Sequence, residues 1–298
     1  GDLIVTEGGD AMSATRWIIQ RIARLPQLAD RILSHVPREP TFVTPDGLLL
    51  DQIDAAPTDD PTHVTDAVST VFTVLDRRPA GAASVLYLTS DAGEGKTTVI
   101  SHLARQQAHK YKEKTTDWLL VPVSLGGRTF MRFDDVIIGA LMNRLRFNLL
   151  YYDAFIELVR LGVLVPALDG FEEMFVEGSA GDAMSALGNL MQALQSSGSV
   201  LIAARKAYFE FKNLRAQTRL FDSLGLQSVT FSRLSLNRWD KARFLQYAAK
   251  RHISNGEQVY DEVAAQLGPD HSLLTRAVLV RRVLDIATEP GTRNTLLD

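Results

Sequence analysis

The chain has 298 residues, 46% of them hydrophobic, and a net charge of −3, which is room for one large globular domain or two modest ones. That balance supplies no global field toward nucleic acid or a membrane surface, small basic patches aside. Zero cysteines exclude disulfides and thiolate metal sites and suit a reducing cytosol, so a cytoplasmic protein is expected. No apolar run reaches the roughly 18 residues of a membrane span, and no signal peptide is visible. The first residue is Gly1 rather than methionine, as expected of a fragment or a processed chain.

Residues 3–10 form a short apolar patch that runs into a Gly-Gly-Asp turn. Residues 12–36 read as a helix, with apolar side chains at Trp17, Ile18, Ile22, Leu25, Leu28, Ile32 and Leu33. Pro26 should kink or split it. Arg16, Arg21, Arg24 and Arg31 make the other face basic, either a solvated face or a surface for a membrane or partner helix. Residues 37–61 are rich in Pro, Asp and Thr and read as a linker around a small hairpin. Phe42-Val43 and Leu48-Leu49-Leu50 would flank its Pro45-Asp46-Gly47 turn. A helix over 65–77 then leads into the next segment.

Residues 84–98, SVLYLTSDAGEGKTT, predict a strand over 85–89, a loop of small residues, and a helix from Val99 onward. That is the layout of a phosphate-binding loop. Gly93 and Gly95 let backbone amides turn inward where a Cβ would obstruct, and the helix N-terminus adds free donors. Lys96 is placed for the β- and γ-phosphates and Thr97 for Mg²⁺. The candidate nucleotide-binding residues are Ser90, Asp91, Ala92, Gly93, Glu94, Gly95, Lys96, Thr97 and Thr98. The full pattern wants glycine where Ser90 stands, and a glycine-rich turn capping an ordinary helix is the plainer alternative.

Residues 162–175, GVLVPALDGFEEMF, carry an apolar run ending in Asp169, followed by Glu172 and Glu173. Beside a phosphate loop, Asp169 would hold Mg²⁺ together with Thr97. Glu172 or Glu173 would orient and deprotonate a water. Carboxylates so close repel unless a cation neutralises them; a solvated acidic turn is the alternative. Pro166 demands a bulge or a shorter strand. Residues 199–205, SVLIAAR, end a further strand in Arg205, which could report a γ-phosphate and stabilise charge there, or lie plainly on the surface.

Strands over 85–89, 119–124, 163–168, 200–204 and 228–231 alternate with helices over 96–110, 133–146, 152–161, 183–195 and 206–216. Such alternation predicts a parallel sheet covered on both faces, with ligand at the carboxyl ends of the strands. From Asn237 the strand signal stops. Helices over 239–252, with a cap-like Asn237 and Asp240 start, 257–267 and 272–287 would form a lid. The expected fold is α/β, a P-loop NTPase with a three-layer α/β/α parallel sheet. Residues 1–60 form a helical N-terminal segment and linker, 61–236 the core, and 237–298 a small helical lid domain.

Smaller signals are weak. His102 and His109 share no metal spacing, and Lys110, Lys112 and Lys114 suit a helix end. Arg128 and Arg132 could face a γ-phosphate or a neighbouring subunit, and Arg215 and Arg219 could act in trans; surface arginines are the alternative. No nucleophile elbow is present.

Taken in order, these pieces resemble a STAND-class signal-transduction ATPase, nearest its NACHT branch. GEGKTT at 93–98 is similar to that family's loop, LDGFEE at 168–173 to its magnesium motif, and AAR at 203–205 to its sensor strand. LLTRAVLVRRVLDIA at 273–287 resembles the helix after the core, with Ala277 where the family has proline. The resemblance spans about 86–287. It implies a Mg²⁺-dependent ATPase of low turnover, closed and monomeric with ADP, open and homo-oligomeric with ATP. It also implies a role in signalling or defence, anti-phage in a bacterium or innate sensing in an animal, with effector and sensor domains or partner proteins outside this chain. Two alternatives stay open: an AAA+-like motor or loader acting on nucleic acid or protein, and a scaffold that holds nucleotide without hydrolysis.

Overall fold

The computed structural model describes residues 3–7, 10–51, 60–126, 133–173, 180–207 and 229–288. At the N-terminus β1 (Ile4–Glu7) and β2 (Asp10–Ser13) pair antiparallel as a separate hairpin. α1 (Ala14–Trp17), a π-helical turn (Ile18–Ile22) and α2 (Leu25–His35) follow. Pro26 splits the helix expected over 12–36. It sits in the first turn of α2, where its missing N–H has no intrahelical partner to lose.

The linker reading of 37–61 needs correction. No hairpin forms about Pro45-Asp46-Gly47. Instead β3 (Gly47–Leu50) pairs antiparallel with β4 (Thr62–Val64) on one side and with β9 (Val229–Leu236) on the other. Gly47 serves a close approach rather than a turn: a Cβ there would sit 2.6 Å from the Ser235 carbonyl oxygen. α3 (Ala67–Asp76) starts at Asp66, whose side chain accepts the Ser69 amide at 2.9 Å.

The core elements are β5 (Ala83–Ser90), α4 (Lys96–Lys112), β6 (Leu119–Ser124), α5 (Phe133–Gly139) with a π-helical turn (Ala140–Arg144), and α6 (Tyr152–Arg160). They continue with β7 (Leu164–Asp169), a 3₁₀ turn (Phe171–Glu173), α7 (Ala180–Leu194) and β8 (Ser199–Arg205). One seven-stranded sheet runs in the order β4-β3-β9-β5-β8-β7-β6. From β9 to β6 every pairing is parallel. All eight residues of β5 are buried, so both faces of the sheet are covered and the layers are α/β/α. This is why the strands read as apolar runs rather than alternations.

Pro166 is accommodated without a bulge. β7 pairs with β6 continuously from Leu164 to Asp169, but its pairing with β8 starts only at Ala167. The strand ends on Asp169 rather than Leu168, which puts that carboxylate at the sheet edge.

Beyond β9 lie α8 (Lys241–Lys250), α9 (Gly256–Leu267), α10 (Ser272–Thr275) and α11 (Ala277–Thr288). Trp239, Phe244, Tyr247, Tyr260, Val280 and Leu284 form a second buried cluster, which Val43 joins from the segment before β3. Asp240, not Asn237, caps α8: its side chain accepts the Arg243 amide at 2.9 Å. The helix expected over 272–287 is broken at Arg276, whose backbone is extended. The helix expected over 206–216 lies outside the described residues apart from its first two positions, and Arg128, Arg132, Arg215 and Arg219 lie outside them altogether. Among the described residues no helix is long and apolar enough to cross a membrane.

Candidate functional site

β5 delivers the chain to the carboxyl edge of the sheet at Ser90, and the loop to α4 turns back on two glycines. Gly93 has φ +80° and Gly95 φ +97°, values that a side chain disfavours. The Lys96 ammonium folds over the loop it follows, donating to the Ser90 carbonyl at 3.0 Å, the Ser90 hydroxyl at 3.2 Å and the Asp91 carbonyl at 3.2 Å. Burial pushes the Lys96 pKa down, opposed by the carboxylates of Glu172, Asp169 and Glu94. The departure at Ser90 is absorbed here. Ser90 is the last residue of an extended strand, where glycine is not required, and its hydroxyl donates to the Asp91 carbonyl while accepting from Lys96.

The loop carries two acids of its own. Glu94 is buried, and its carboxylate accepts the Asp91 amide at 2.7 Å. Arg238 forks between them, donating from Nε to Glu94 at 3.1 Å and from Nη2 to Asp91 at 2.9 Å. That hydrogen bond holds the Asp91 pKa below its ordinary value.

The facing wall comes from β7 and β8. The Thr97 hydroxyl donates to Asp169 Oδ2 at 2.7 Å. Burial raises the Asp169 pKa, and the Thr97 hydrogen bond and Lys96 charge act against that rise. Fully buried Phe171 anchors the turn that follows, which makes the hydrophobe of the Gly-Phe-Glu-Glu segment a structural pin. The structure separates the two acids that the sequence left equivalent. Glu172 accepts from Arg205 Nε at 3.1 Å through Oε1, while its Oε2 is buried with no hydrogen-bond partner among the described residues. Glu173 packs against Gly126, where a Cβ would come within 2.7 Å of its Oε2, and against Gly170, whose φ is +81°.

Residues 92–98, Asp169, Glu172, Glu173 and Arg205 all line one cavity of about 490 Å³. Ser90 and Asp91 reach it through Lys96. Among the described residues no three His, Cys, Asp or Glu side chains gather as a protein-only metal cage. The adjacent Thr97 hydroxyl and Asp169 carboxylate instead fit Mg²⁺, a hard cation that takes one or two protein oxygens and fills its shell with water and phosphate.

At the other end of the cavity the sequence predicts only the helices after the last strand, as a lid over base and ribose; the segment before β3 joins them there. Phe42, Val43 and Pro45 reach it from the segment before β3, Trp239 from the connection after β9, Tyr247 from α8, and Val278 and Arg281 from α11. The Trp239 and Tyr247 rings lie 5.3 Å apart, and Phe42 stacks on His102 at 3.8 Å. Ala277 lines the cavity at the start of α11, and the next residue touches the loop: the Val278 amide donates to the Gly93 carbonyl at 3.1 Å. The break at Arg276 makes that contact available. The sequence signals for this wall are the helices expected from Asn237 onward and Ala277 at the family's proline position; none pointed to Phe42, Val43 or Pro45.

What decides the fold is the placing of three strand tips. The phosphate loop follows central β5, Arg205 ends neighbouring β8, and Asp169 ends β7 beyond it. This is a P-loop NTPase fold. No protein-family model matches the chain, and no curated protein sequence does. Solved structures similar to it include AMPPCP-bound DnaA from Aquifex aeolicus, with TM-score 0.44 and 11% identity over 76% of this chain and 62% of that one. Cdc6p from Pyrobaculum aerophilum has TM-score 0.48 and 16% identity over 83% and 67%. A Walker-type ATPase of Pyrococcus abyssi has TM-score 0.48 and 13% identity over 77% and 68%. The chain thus spans less than two thirds of the DnaA structure.

Proposed function

We propose that this chain binds Mg·ATP or ADP and hydrolyses ATP slowly. The observation that carries the reading is that Lys96 and the Thr97–Asp169 pair open onto the same cavity. The amides of the loop over 90–98 and the Lys96 ammonium would hold the phosphates, and Thr97 and Asp169 would hold Mg²⁺, which when bound neutralises phosphate charge. Glu172, with one buried oxygen that has no hydrogen-bond partner among the described residues, is the better placed general base, and Glu173 supports the turn. A γ-phosphate would compete with Glu172 for Arg205, so the nucleotide's state would alter that ion pair.

In finer form, we assign residues 61–236 to the ATPase core, 237–298 to the lid and 1–60 to an N-terminal segment. The Gly-Phe-Glu-Glu segment favours a STAND/NACHT-like signalling or defence switch that homo-oligomerises with ATP and works with effector and sensor domains or partners. The second reading is an AAA+-like ATPase acting on nucleic acid or protein, toward which the names DnaA and Cdc6p lean. Titration with labelled ATP tests the common part. Lys96→Ala should bind roughly tenfold to a hundredfold more weakly, the loss expected for a hydrogen bond to a charged group. Equal affinity removes Lys96 from the phosphate site. ATPase rates with and without DNA or RNA separate the finer readings, since strong stimulation belongs to the second.

A further inference from the structure

A loop that grips a polyanion is an unfavourable place for carboxylates, yet this one carries Asp91 and Glu94 beside a single cation, Lys96. Glu94 is the more severe case: its side chain is only 1% exposed. A buried carboxylate is strongly unfavourable unless paired and hydrogen-bonded. One Glu94 oxygen is taken by the Asp91 amide, which fixes the turn of the loop, and the other by Arg238 Nε. The same guanidinium reaches Asp91 through Nη2. The planar guanidinium serves both acids at once from two donors held in fixed geometry. Arg238 belongs neither to the loop nor to the sheet. It lies between the end of β9 at Leu236 and the cap of α8 at Asp240, on the connection that carries the lid.

From this geometry we infer that Arg238 is a positioning residue that neutralises the two carboxylates of the phosphate loop, making the loop's acceptance of a polyanion depend on where the lid connection sits. With Arg238 in place, the charges of Asp91, Glu94, Lys96 and Arg238 sum to zero. With it withdrawn, they sum to one negative charge next to the phosphates. The inference rests on the nucleotide reading above and adds a residue that the phosphate-loop pattern does not include.

The test is a calorimetric titration of the full chain with Mg·ATP at low and high salt, using wild type, Lys96→Ala, Arg238→Ala, Glu94→Gln and the double variant Arg238→Ala/Glu94→Gln. Melting of each without nucleotide reports folding, and Arg238→Met, which fills the space without charge, repeats the comparison. Arg238→Ala should weaken binding roughly tenfold, the lower end for a lost hydrogen bond to a charged group because Arg238 is partly exposed. The loss should shrink at high salt, which screens the exposed repulsion. Glu94→Gln keeps an oxygen for the Asp91 amide and removes the charge, so the double variant should recover most of the affinity. A merely structural role would give no such recovery. Wild-type affinity in Arg238→Ala, or a double variant no better than Arg238→Ala, overturns the inference while leaving the nucleotide reading intact, provided Lys96→Ala binds poorly. A wild type that binds no ATP overturns both.

Discussion

The two ends of the cavity are built on different principles. At the Lys96 end the groups come from the tips of neighbouring parallel strands and do their work by charge and hydrogen bonding: Thr97 to Asp169, Arg205 to Glu172, Lys96 to the loop carbonyls. At the Phe42 end the wall is assembled from the segment before β3 and from the helices after β9, and it is mostly apolar and aromatic. On the proposed reading the first end would tolerate few residue types at each position, because phosphate and Mg²⁺ chemistry would dictate them. The second needs only a flat apolar surface of the right size, which many residues supply. The difference separates what a triphosphate tail would feel from what a base and ribose would feel.

Gly93 joins the two ends, and substituting it should have the largest effect. A Cβ there would lie 2.7 Å from Val278 Cγ1, at a φ of +80°. Gly93→Ala should therefore lose the α11 contact and loop shape together, with the left-handed backbone alone destabilising by about 1–2 kcal/mol. Adding Val278→Ala should relieve the clash but not the backbone strain, so melting and ATP affinity should recover only in part. Full tolerance of Gly93→Ala would mean that α11 does not rest on the loop.

Trp239→Ala sharpens the contrast. Loss of an aromatic wall should weaken ATP and ADP alike, by about 0.5–1.5 kcal/mol beyond the area it buries. Lys96→Ala should instead weaken ATP more than ADP. Paired titrations with both nucleotides read this directly, and a Trp239 variant that discriminates ATP from ADP would erase the division.

The smallest effect concerns pH. Burial raises the Asp169 pKa above 3.8, so without ligand the folded protein binds more protons than the unfolded chain between 3.8 and the raised value. The stability linked to its neutral form is complete below 3.8 and is lost as pH rises through the folded pKa. Asp169→Asn should flatten that part of the profile in urea melts at stepped pH. An unchanged profile would mean that the Asp169 carboxyl is not perturbed by its surroundings.

Much of the charged end was legible because its motifs are contiguous. Strand, loop and helix around Lys96 fall where the residues predict, and Asp169 and Arg205 sit at strand tips beside them. The unread parts are nonlocal. Leu48-Leu49-Leu50 looked like half of a hairpin because Pro-Asp-Gly is a good turn sequence, yet β9, almost two hundred residues away, offered it a longer ladder. Glu172 and Glu173 could not be told apart, since only tertiary packing gives one to Arg205 and sets the other against Gly126. Arg238 carried no signal of its own between Asn237 and Asp240, because its partners lie in the phosphate loop, far off in the chain.

The most direct measurement is ATP affinity with and without Mg²⁺ for wild type, Lys96→Ala and Asp169→Asn. Wild type should bind more tightly with Mg²⁺, Lys96→Ala should bind poorly in both conditions, and Asp169→Asn should lose chiefly the gain from Mg²⁺. Wild-type affinity in Lys96→Ala, or an undiminished Mg²⁺ gain in Asp169→Asn, would contradict a shared grip on one triphosphate.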